Sequence, residues 1–228
     1  MTSAIILAAG FSTRMGGVNK QLAELCGIPV FVMSALRFER SENVGEIIIA
    51  APKGCAVQYA DLVLRYGVTK LKAVTEGGAT RFLSVKNALA QVSREADFIA
   101  IHDGARPLIT TEEIDRVILD AYTHGAAIAA IPATDTVKTV TDGFVTGTPD
   151  RSGLCYAQTP QVFKKALYLR CIEKLCGAAE SVTDDSSVLE MCGERVYLTE
   201  IHCANMKITR PEDIAAAAAI FAQRRETL

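Results

Sequence analysis

Much that would mark this chain for an obvious task is missing. It carries 24 basic against 26 acidic side chains, a formal charge of −2 over 228 residues. That near-balance excludes a dedicated nucleic-acid surface or a polybasic membrane surface, so an anionic ligand must be met by locally placed cations. No stretch reaches the ~18 unbroken apolar residues of a membrane span. The first residues run almost directly into an apolar segment, with no cationic leader or cleavage pattern, and a cytoplasmic protein is expected. Neither G-x-x-x-x-G-K-[ST] nor G-x-G-x-x-G occurs. Their absence removes a P-loop and disfavours a dinucleotide-dependent oxidoreductase. The seven cysteines are scattered and odd in number, with no C-x-x-C pair and no histidine close to Cys171 or Cys176. They read as reduced thiols of a cytosolic protein, not as a disulfide framework, a metal cage or a nucleophile.

What is present is a chain half hydrophobic and long enough for one α/β domain spanning 1–228. Apolar runs at 4–9, 46–51, 71–75, 98–101 and 126–131 alternate with helical patterns at 30–38, 56–66, 80–92 and 111–122. Pro29 opens the first helix, and Thr110 with Glu113 forms a capping-box pattern for the fourth. This rhythm predicts a Rossmann-like, doubly wound, mostly parallel sheet with ligands at the C-terminal ends of its strands. Residues 136–157 break it. Two β-favouring runs flank Asp142-Gly143 with too few apolar residues for a core layer, which predicts a projecting β-hairpin arm of the kind that pairs with a second subunit. Helices are expected at 163–175 and 184–192, a strand at 195–201, and a final helix capped by Thr209 and Glu212.

The densest chemistry sits in the first loop. An apolar run ends in Ala8-Ala9-Gly10, small enough for a ligand to come close, and Arg14 and Lys20 follow. Backbone N–H groups turned toward an anion, with two cations on one short loop, suit a polyphosphate whose charge must be held while a bond to phosphorus changes. Gly77-Gly78, with Ser84 one turn into the next helix, offers backbone groups to a flat nucleobase edge; an ordinary glycine turn with a first-turn serine accounts for it equally well. Asp103 ends a buried strand, where a carboxylate beside phosphates holds Mg²⁺, and Arg106 follows within reach of an anion. An internal Asp–Arg pair is the plainer alternative. His102 reads as structural, because attack by an existing phosphate needs no base. The carboxylates of Asp184 and Asp185 read as helix-start acids before they read as a metal site.

Taken in order, these segments resemble the 2-C-methyl-D-erythritol 4-phosphate cytidylyltransferases of the non-mevalonate isoprenoid pathway. The residues that carry the resemblance are Ala8-Ala9-Gly10, Arg14-Met15-Gly16, Lys20-Gln21, Leu25 to Pro29, Gly77-Gly78, Arg81, Ser84-Val85, His102 to Pro107, Asp135 to Lys138, Thr159-Pro160-Gln161, Thr183-Asp184-Asp185 and Lys207 to Asp213. They span nearly the whole chain. The resemblance implies that CTP and methylerythritol 4-phosphate are joined with release of pyrophosphate. Arg14 and Lys20 would be catalytic, and Ala8, Ala9, Gly10, Gly78 and Ser84 would surround the cytidine. Asp103 would hold Mg²⁺. Arg106, Thr136, Arg151, Thr159, Thr183 and Lys207 would line the sugar-phosphate side, some of them donated across a homodimer by the arm.

The chain departs from the family pattern at Ser12, where glycine is frequent, at Asn19, where proline is frequent, and at Ala79, where a polar side chain is common. Two alternatives remain. A ribitol 5-phosphate cytidylyltransferase shares the nucleotide half, although Ala105 before Arg106 and the segment Asp135 to Lys138 favour methylerythritol phosphate. A non-catalytic nucleotide-binding subunit would not need Arg14, Lys20 and Asp103 together.

Overall fold

The computed structural model describes residues 1–10, 19–175 and 182–224. In chain order, β1 (Thr2–Leu7) is followed by the short hairpin of β2 (Glu24–Leu25) and β3 (Ile28–Pro29), then α1 (Val30–Glu39). Next come β4 (Val44–Ala51), α2 (Ala56–Arg65), β5 (Leu71–Glu76), α3 (Arg81–Leu89), β6 (Phe98–Asp103), α4 (Thr111–His124) and β7 (Ala126–Pro132). A hairpin of β8 (Thr139–Thr141) and β9 (Phe144–Gly147) precedes β10 (Cys155–Lys164), α5 (Lys165–Leu175), α6 (Ser186–Glu190), β11 (Tyr197–Glu200) and α7 (Pro211–Gln223).

Seven strands form one sheet in the order β11-β7-β10-β6-β1-β4-β5. Side chains alternate across it with the two-residue period of a strand. Ala4, Ile6, Ile47, Ile49, Ala127 and Ala129 face α1, α2 and α4, whereas Ile5, Leu7, Ile48, Ala50, Ala126 and Ile128 face α3, α5 and α6. Both faces are therefore covered, which is why the parallel strands read as continuous apolar runs. A third cluster joins α7 to α1 through Ala217, Phe221, Val30 and Met33. The α/β Rossmann-like expectation holds.

Register decides where a ligand can go. Leu7 pairs with Ala50 on one side and Asp103 on the other, and Ala51 pairs with Glu76. The loops after β1, β5 and β6 thus leave the sheet at one level, its C-terminal edge. β10 runs antiparallel between β6 and β7, with Gln161 opposite both Ile101 and Ile128. Its N-terminal half consequently arrives at that same edge.

The structure differs from the sequence reading in four places. β10 begins at Cys155, so the last residues assigned to the arm lie in the central sheet, and the hairpin itself covers 139–147. Residues 163 and 164 end β10 and do not start α5. At α4 only half a capping box forms. Thr110 Oγ1 accepts from Glu113 N at 3.3 Å, but the Glu113 carboxylate turns to His202 N and Arg116 Nη1, both at 2.7 Å. At α7 the acid is Asp213, not Glu212: its Oδ2 accepts from the backbone N–H groups of Thr209 (2.7 Å) and Arg210 (2.9 Å). The Asp142-Gly143 turn is as expected, with φ of 51° and 82° at its two central residues.

One buried acid makes stability depend on pH. Burial opposes ionisation of Glu46, but Ser3 Oγ (2.5 Å), Ser93 N (2.8 Å) and Ser93 Oγ (2.5 Å) donate to it and Lys72 lies 3.1 Å away. Together they lower its pKa from 4.5 to about 2. A depressed carboxylate stabilises the fold fully above its unfolded pKa, and that contribution is lost as pH falls toward its folded pKa. Glu46→Gln should therefore lower the thermal midpoint at pH 7 and flatten its decline between pH 4.5 and 2. Parallel thermal-melt curves for the two proteins across that window would refute the assignment.

Candidate active site

At the C-terminal edge of the sheet lies an open cleft of about 240 Å³, whose wall includes Ala9, Gly10, Lys20, Gln21, Gly78, Arg81, Ser84, Asp103, Ala105 and Lys207. Its two sides are built differently. One is backbone and small side chains. Ala8 N donates to Ala50 O at 2.8 Å, which continues β1 to the cleft rim. Gly78 N donates to Ser84 Oγ at 3.0 Å, and that hydroxyl donates to Thr80 O at 3.0 Å. Thr80 in turn caps α3 by accepting from Leu83 N at 3.1 Å. Ser84 therefore shapes the loop, and its hydroxyl is already engaged there.

Neither glycine has room for a side chain. A Cβ on Gly77 would stand 2.1 Å from Ala9 Cβ, and one on Gly78 would stand 2.3 Å from Leu83 Cβ and 2.9 Å from its carbonyl carbon. The second obstacle is backbone, which cannot swing aside, so Gly78→Ala should displace the loop. The expected result is a KM raised about tenfold or more for the substrate bound against this loop, with a smaller effect on the KM of the second substrate. Equal changes in both would show that the loop does not belong to one substrate's side.

The other side is charged. Asp103 Oδ1 lies 3.4 Å from Arg81 Nε, and its Oδ2 lies 2.7 Å from Lys207 Nζ and 3.7 Å from Arg106 Nε. The last distance is an ion pair and too long for a hydrogen bond. Burial alone would raise the Asp103 pKa, but Arg81, Lys207 and Arg106 outweigh it and hold the carboxyl well below the usual range. Arg81 is itself anchored from behind: its Nη1 lies 2.7 Å from Asp185 Oδ2, while Tyr168 donates to Asp185 Oδ1 at 2.9 Å. Asp185 and Ser186 donate their backbone N–H groups to Gln161 Oε1 at 2.9 and 3.1 Å. Asp185 is thus the counter-ion of Arg81. Asp184 lies among Ser186, Ser187 and Gln161, where it accepts their hydrogen bonds at the start of α6.

Behind Asp103 sits His102, fully buried, its pKa lowered by burial from 6.5 to about 4. Asp103 N donates to Thr159 Oγ1 at 3.1 Å, leaving that hydroxyl to donate to His102 Nδ1 at 3.0 Å. Nε2–H then faces Arg106 O at 3.2 Å. The ring is neutral and structural, and Thr159, buried with its hydroxyl spent, reaches the site only through Asp103 and His102.

The structure thus gathers Ala9, Gly10, Lys20, Gly78, Ser84, Asp103 and Lys207 around one cleft, with Ala8 buried beneath them and Arg106 beside Asp103. Thr136, Arg151 and Thr183 are exposed and do not line it. Arg151 instead donates from Nη1 to Thr134 O at 2.9 Å. Arg14 lies outside the described residues. Arg81 and Gln21, not among the expected site residues, also stand on the cleft wall. Arg81 had a signal, since it starts the helix that carries Ser84 one turn on. Asn19, one of the departures from the family pattern, has a clear role: its Oδ1 accepts from Gln21 N at 3.0 Å and its Nδ2 donates to Tyr59 at 3.2 Å. The amide thereby fixes the turn that presents Lys20.

Asp103 is the only acid on the cleft wall among the described residues, and they include no group of three or more His, Cys, Asp or Glu side chains placed to hold a metal ion. One carboxylate facing a cleft fits Mg²⁺ that also takes phosphate oxygens, because this ion commonly binds through one or two acids plus substrate phosphates.

A Rossmann-like sheet with a small-residue backbone rim on one side of a cleft and cations around a carboxylate on the other defines an α/β nucleotidyltransferase. Residues 2–223 match the sequence model of the 2-C-methyl-D-erythritol 4-phosphate cytidylyltransferases, and the chain belongs to that family. It is 38% identical over 222 residues to the cytidylyltransferase of that name from Geobacillus kaustophilus, covering 97% of each chain. It is 39% identical over 229 residues to the one from Alkaliphilus oremlandii, covering 99% of this chain and 97% of the relative. The crystal structure of 4-diphosphocytidyl-2C-methyl-D-erythritol synthase from Anaerococcus prevotii superposes with a TM-score of 0.85 at 31% identity, covering 98% and 96% of the two chains.

Proposed function

We propose that this enzyme transfers the cytidylyl group of CTP to 2-C-methyl-D-erythritol 4-phosphate, giving 4-diphosphocytidyl-2-C-methyl-D-erythritol and pyrophosphate. A phosphate oxygen of the sugar alcohol attacks the α-phosphorus of CTP in line. That P–O bond forms as the bond from the α-phosphorus to the bridging oxygen breaks, and pyrophosphate leaves with the electron pair. No proton needs to be removed, which agrees with a neutral, buried His102. The observation that carries the reading is the two-sided cleft. Backbone at Ala9, Gly10 and Gly78 suits a nucleoside, while Lys20, Arg81, Arg106 and Lys207 suit phosphates on two substrates.

Lys20, with Arg14, neutralises the triphosphate and the charge growing on pyrophosphate. Lys207 and Arg106 take the attacking phosphate. Asp103 would hold Mg²⁺, which would supply charge neutralisation at the phosphates. A pyrophosphate-release assay crossing four nucleoside triphosphates with methylerythritol 4-phosphate and ribitol 5-phosphate tests the assignment. Turnover is expected with CTP and methylerythritol 4-phosphate. Preference for ribitol 5-phosphate, or no release from any pair, would reject it.

The working unit on this reading is a homodimer. Val140, Phe144 and Val145 of the hairpin are 59%, 77% and 63% exposed, an apolar surface that pairing with a second copy would cover. Thr136 and Arg151, exposed beside that hairpin and away from their own cleft, then serve the neighbouring subunit. Arg151→Ala should mainly raise the KM for the sugar phosphate. At sugar phosphate well below the raised KM, mixed dimers of Arg151→Ala and Lys20→Ala should turn over faster than either variant alone. A monomer in equilibrium sedimentation, or no complementation, would remove the shared site. Among the described residues no helix is long and apolar enough to cross a membrane, and all the described cysteines are free. The free thiols suit a reducing compartment.

A further inference from the structure

Four residues from three separate segments close a ring of hydrogen bonds behind the charged side of the cleft. His102 Nε2 faces Arg106 O at 3.2 Å, and Arg106 Nη1 donates to Asn205 O at 2.8 Å. Asn205 Nδ2 donates to Thr159 O at 2.9 Å, and Thr159 Oγ1 returns to His102 Nδ1 at 3.0 Å. Two more bonds carry the ring to the cleft, Asp103 N to Thr159 Oγ1 at 3.1 Å and Ile208 N to Ala105 O at 2.8 Å. The second of these pins the segment on which Lys207 stands.

Asn205 is the member whose chemistry is hardest to explain by stability. It is 2% exposed, and its Oδ1 has no hydrogen-bond partner. A buried acceptor left unpaired costs free energy, and an apolar side chain of similar size would avoid that cost. What the side-chain amide alone provides is a donor to Thr159 O, while the backbone carbonyl of Asn205 holds the Arg106 guanidinium. We propose that Asn205 is a positioning residue. By closing this ring it sets the spacing of Arg106, Lys207 and Asp103, and so the seat of the attacking phosphate. The inference rests on the assignment of Arg106 and Lys207 to that phosphate.

Asn205→Ala and the volume-filling Asn205→Leu test it, each assayed with both substrates varied. The expected result is a KM for methylerythritol 4-phosphate raised about tenfold and a KM for CTP changed less than about twofold in both variants, whatever the shift in their urea midpoints. In a double-mutant cycle with Lys207→Met, the combined loss should fall well short of the product of the single losses, because both act on one phosphate seat. An unchanged KM for the sugar phosphate in both Asn205 variants, with a raised one in Lys207→Met, overturns the positioning role alone. Fully multiplicative losses also overturn it. If Lys207→Met itself leaves that KM unchanged, the assignment of the phosphate side fails and the inference fails with it. Equal losses toward both substrates with a lowered urea midpoint would mark Asn205 as structural.

Discussion

Lys20→Ala is expected to lower kcat by about 10²–10³-fold while the KM for CTP rises far less. A preorganised cation facing charge that develops only in the transition state contributes about 3–4 kcal/mol in comparable sites. Lys20 meets the structural requirements for that role. It stands on the cleft wall beside Gly10 and Gln21, and its turn is tied down by Asn19, whose amide bonds Gln21 N and Tyr59. Tyr59 is fully buried in the core. The ammonium is therefore delivered from a rigid base, and little reorganisation is needed at the moment of reaction. Single-turnover measurements at saturating CTP check the prediction, since they isolate the chemical step from product release. A variant with near-normal turnover would show that Lys20 only attracts the nucleotide.

Asp103→Asn should be nearly as damaging to activity, and for a different reason. Asp103 is the only carboxylate on the cleft wall among the described residues, and Arg81, Lys207 and Arg106 converge on it. Removing its charge leaves three cations facing one another and replaces the carboxylate proposed for Mg²⁺ with a neutral, weaker oxygen ligand. Loss of one partner from a buried ion pair costs about 3–5 kcal/mol of stability, but the pairs here are partly wet. Lys207 is 39% exposed, and Arg81 keeps its second partner, Asp185. The fold should therefore lose only about 1–3 kcal/mol, seen as a lower urea midpoint. Turnover should fall by about 10²-fold or more at fixed Mg²⁺, the scale on which single electrostatic groups act in such sites. Intact turnover in a destabilised variant would make Asp103 a structural counter-ion and nothing more.

Legibility differed from segment to segment. The rhythm of apolar runs from Ala4 to Ile131 was enough for the sheet, because strands covered on both faces must be apolar throughout. The same rule placed the motif loops at the C-terminal edge. β10 was harder: Gln158, Thr159 and Gln161 interrupt its apolar pattern, and all three turn out to be buried. Gln161 and Thr159 are inside because they have partners there, Asp184 and the α6 backbone for Gln161 and His102 for Thr159. Such pairings join residues far apart in sequence, so no local pattern announces them. Glu113 and Asp213 show the same limit at smaller scale. A capping motif predicts that an acid lies near a helix start, but tertiary neighbours choose which acid turns back.

The sequence by itself determined the alternation of strands and helices as far as Ile131 and the membership of the cytidylyltransferase family, and it singled out the small and charged residues proposed to meet the nucleotide. These rest on local periodicity and on ordered motifs, both of which survive in one dimension. Only the tertiary structure decided which residues touch the cleft and which stand behind it. Ser84 lines the cleft with its hydroxyl held by Gly78 and Thr80, whereas Thr159, expected to face substrate, stands behind it with its hydroxyl committed to His102 and the Asp103 backbone. Arg81 and Asn205 acquire their roles only when β5, β6 and the segment before α7 converge at one edge of the sheet. The reason is physical: a hydrogen bond or ion pair depends on direction and distance in space, and antiparallel insertion of β10 brings together groups that the chain keeps far apart.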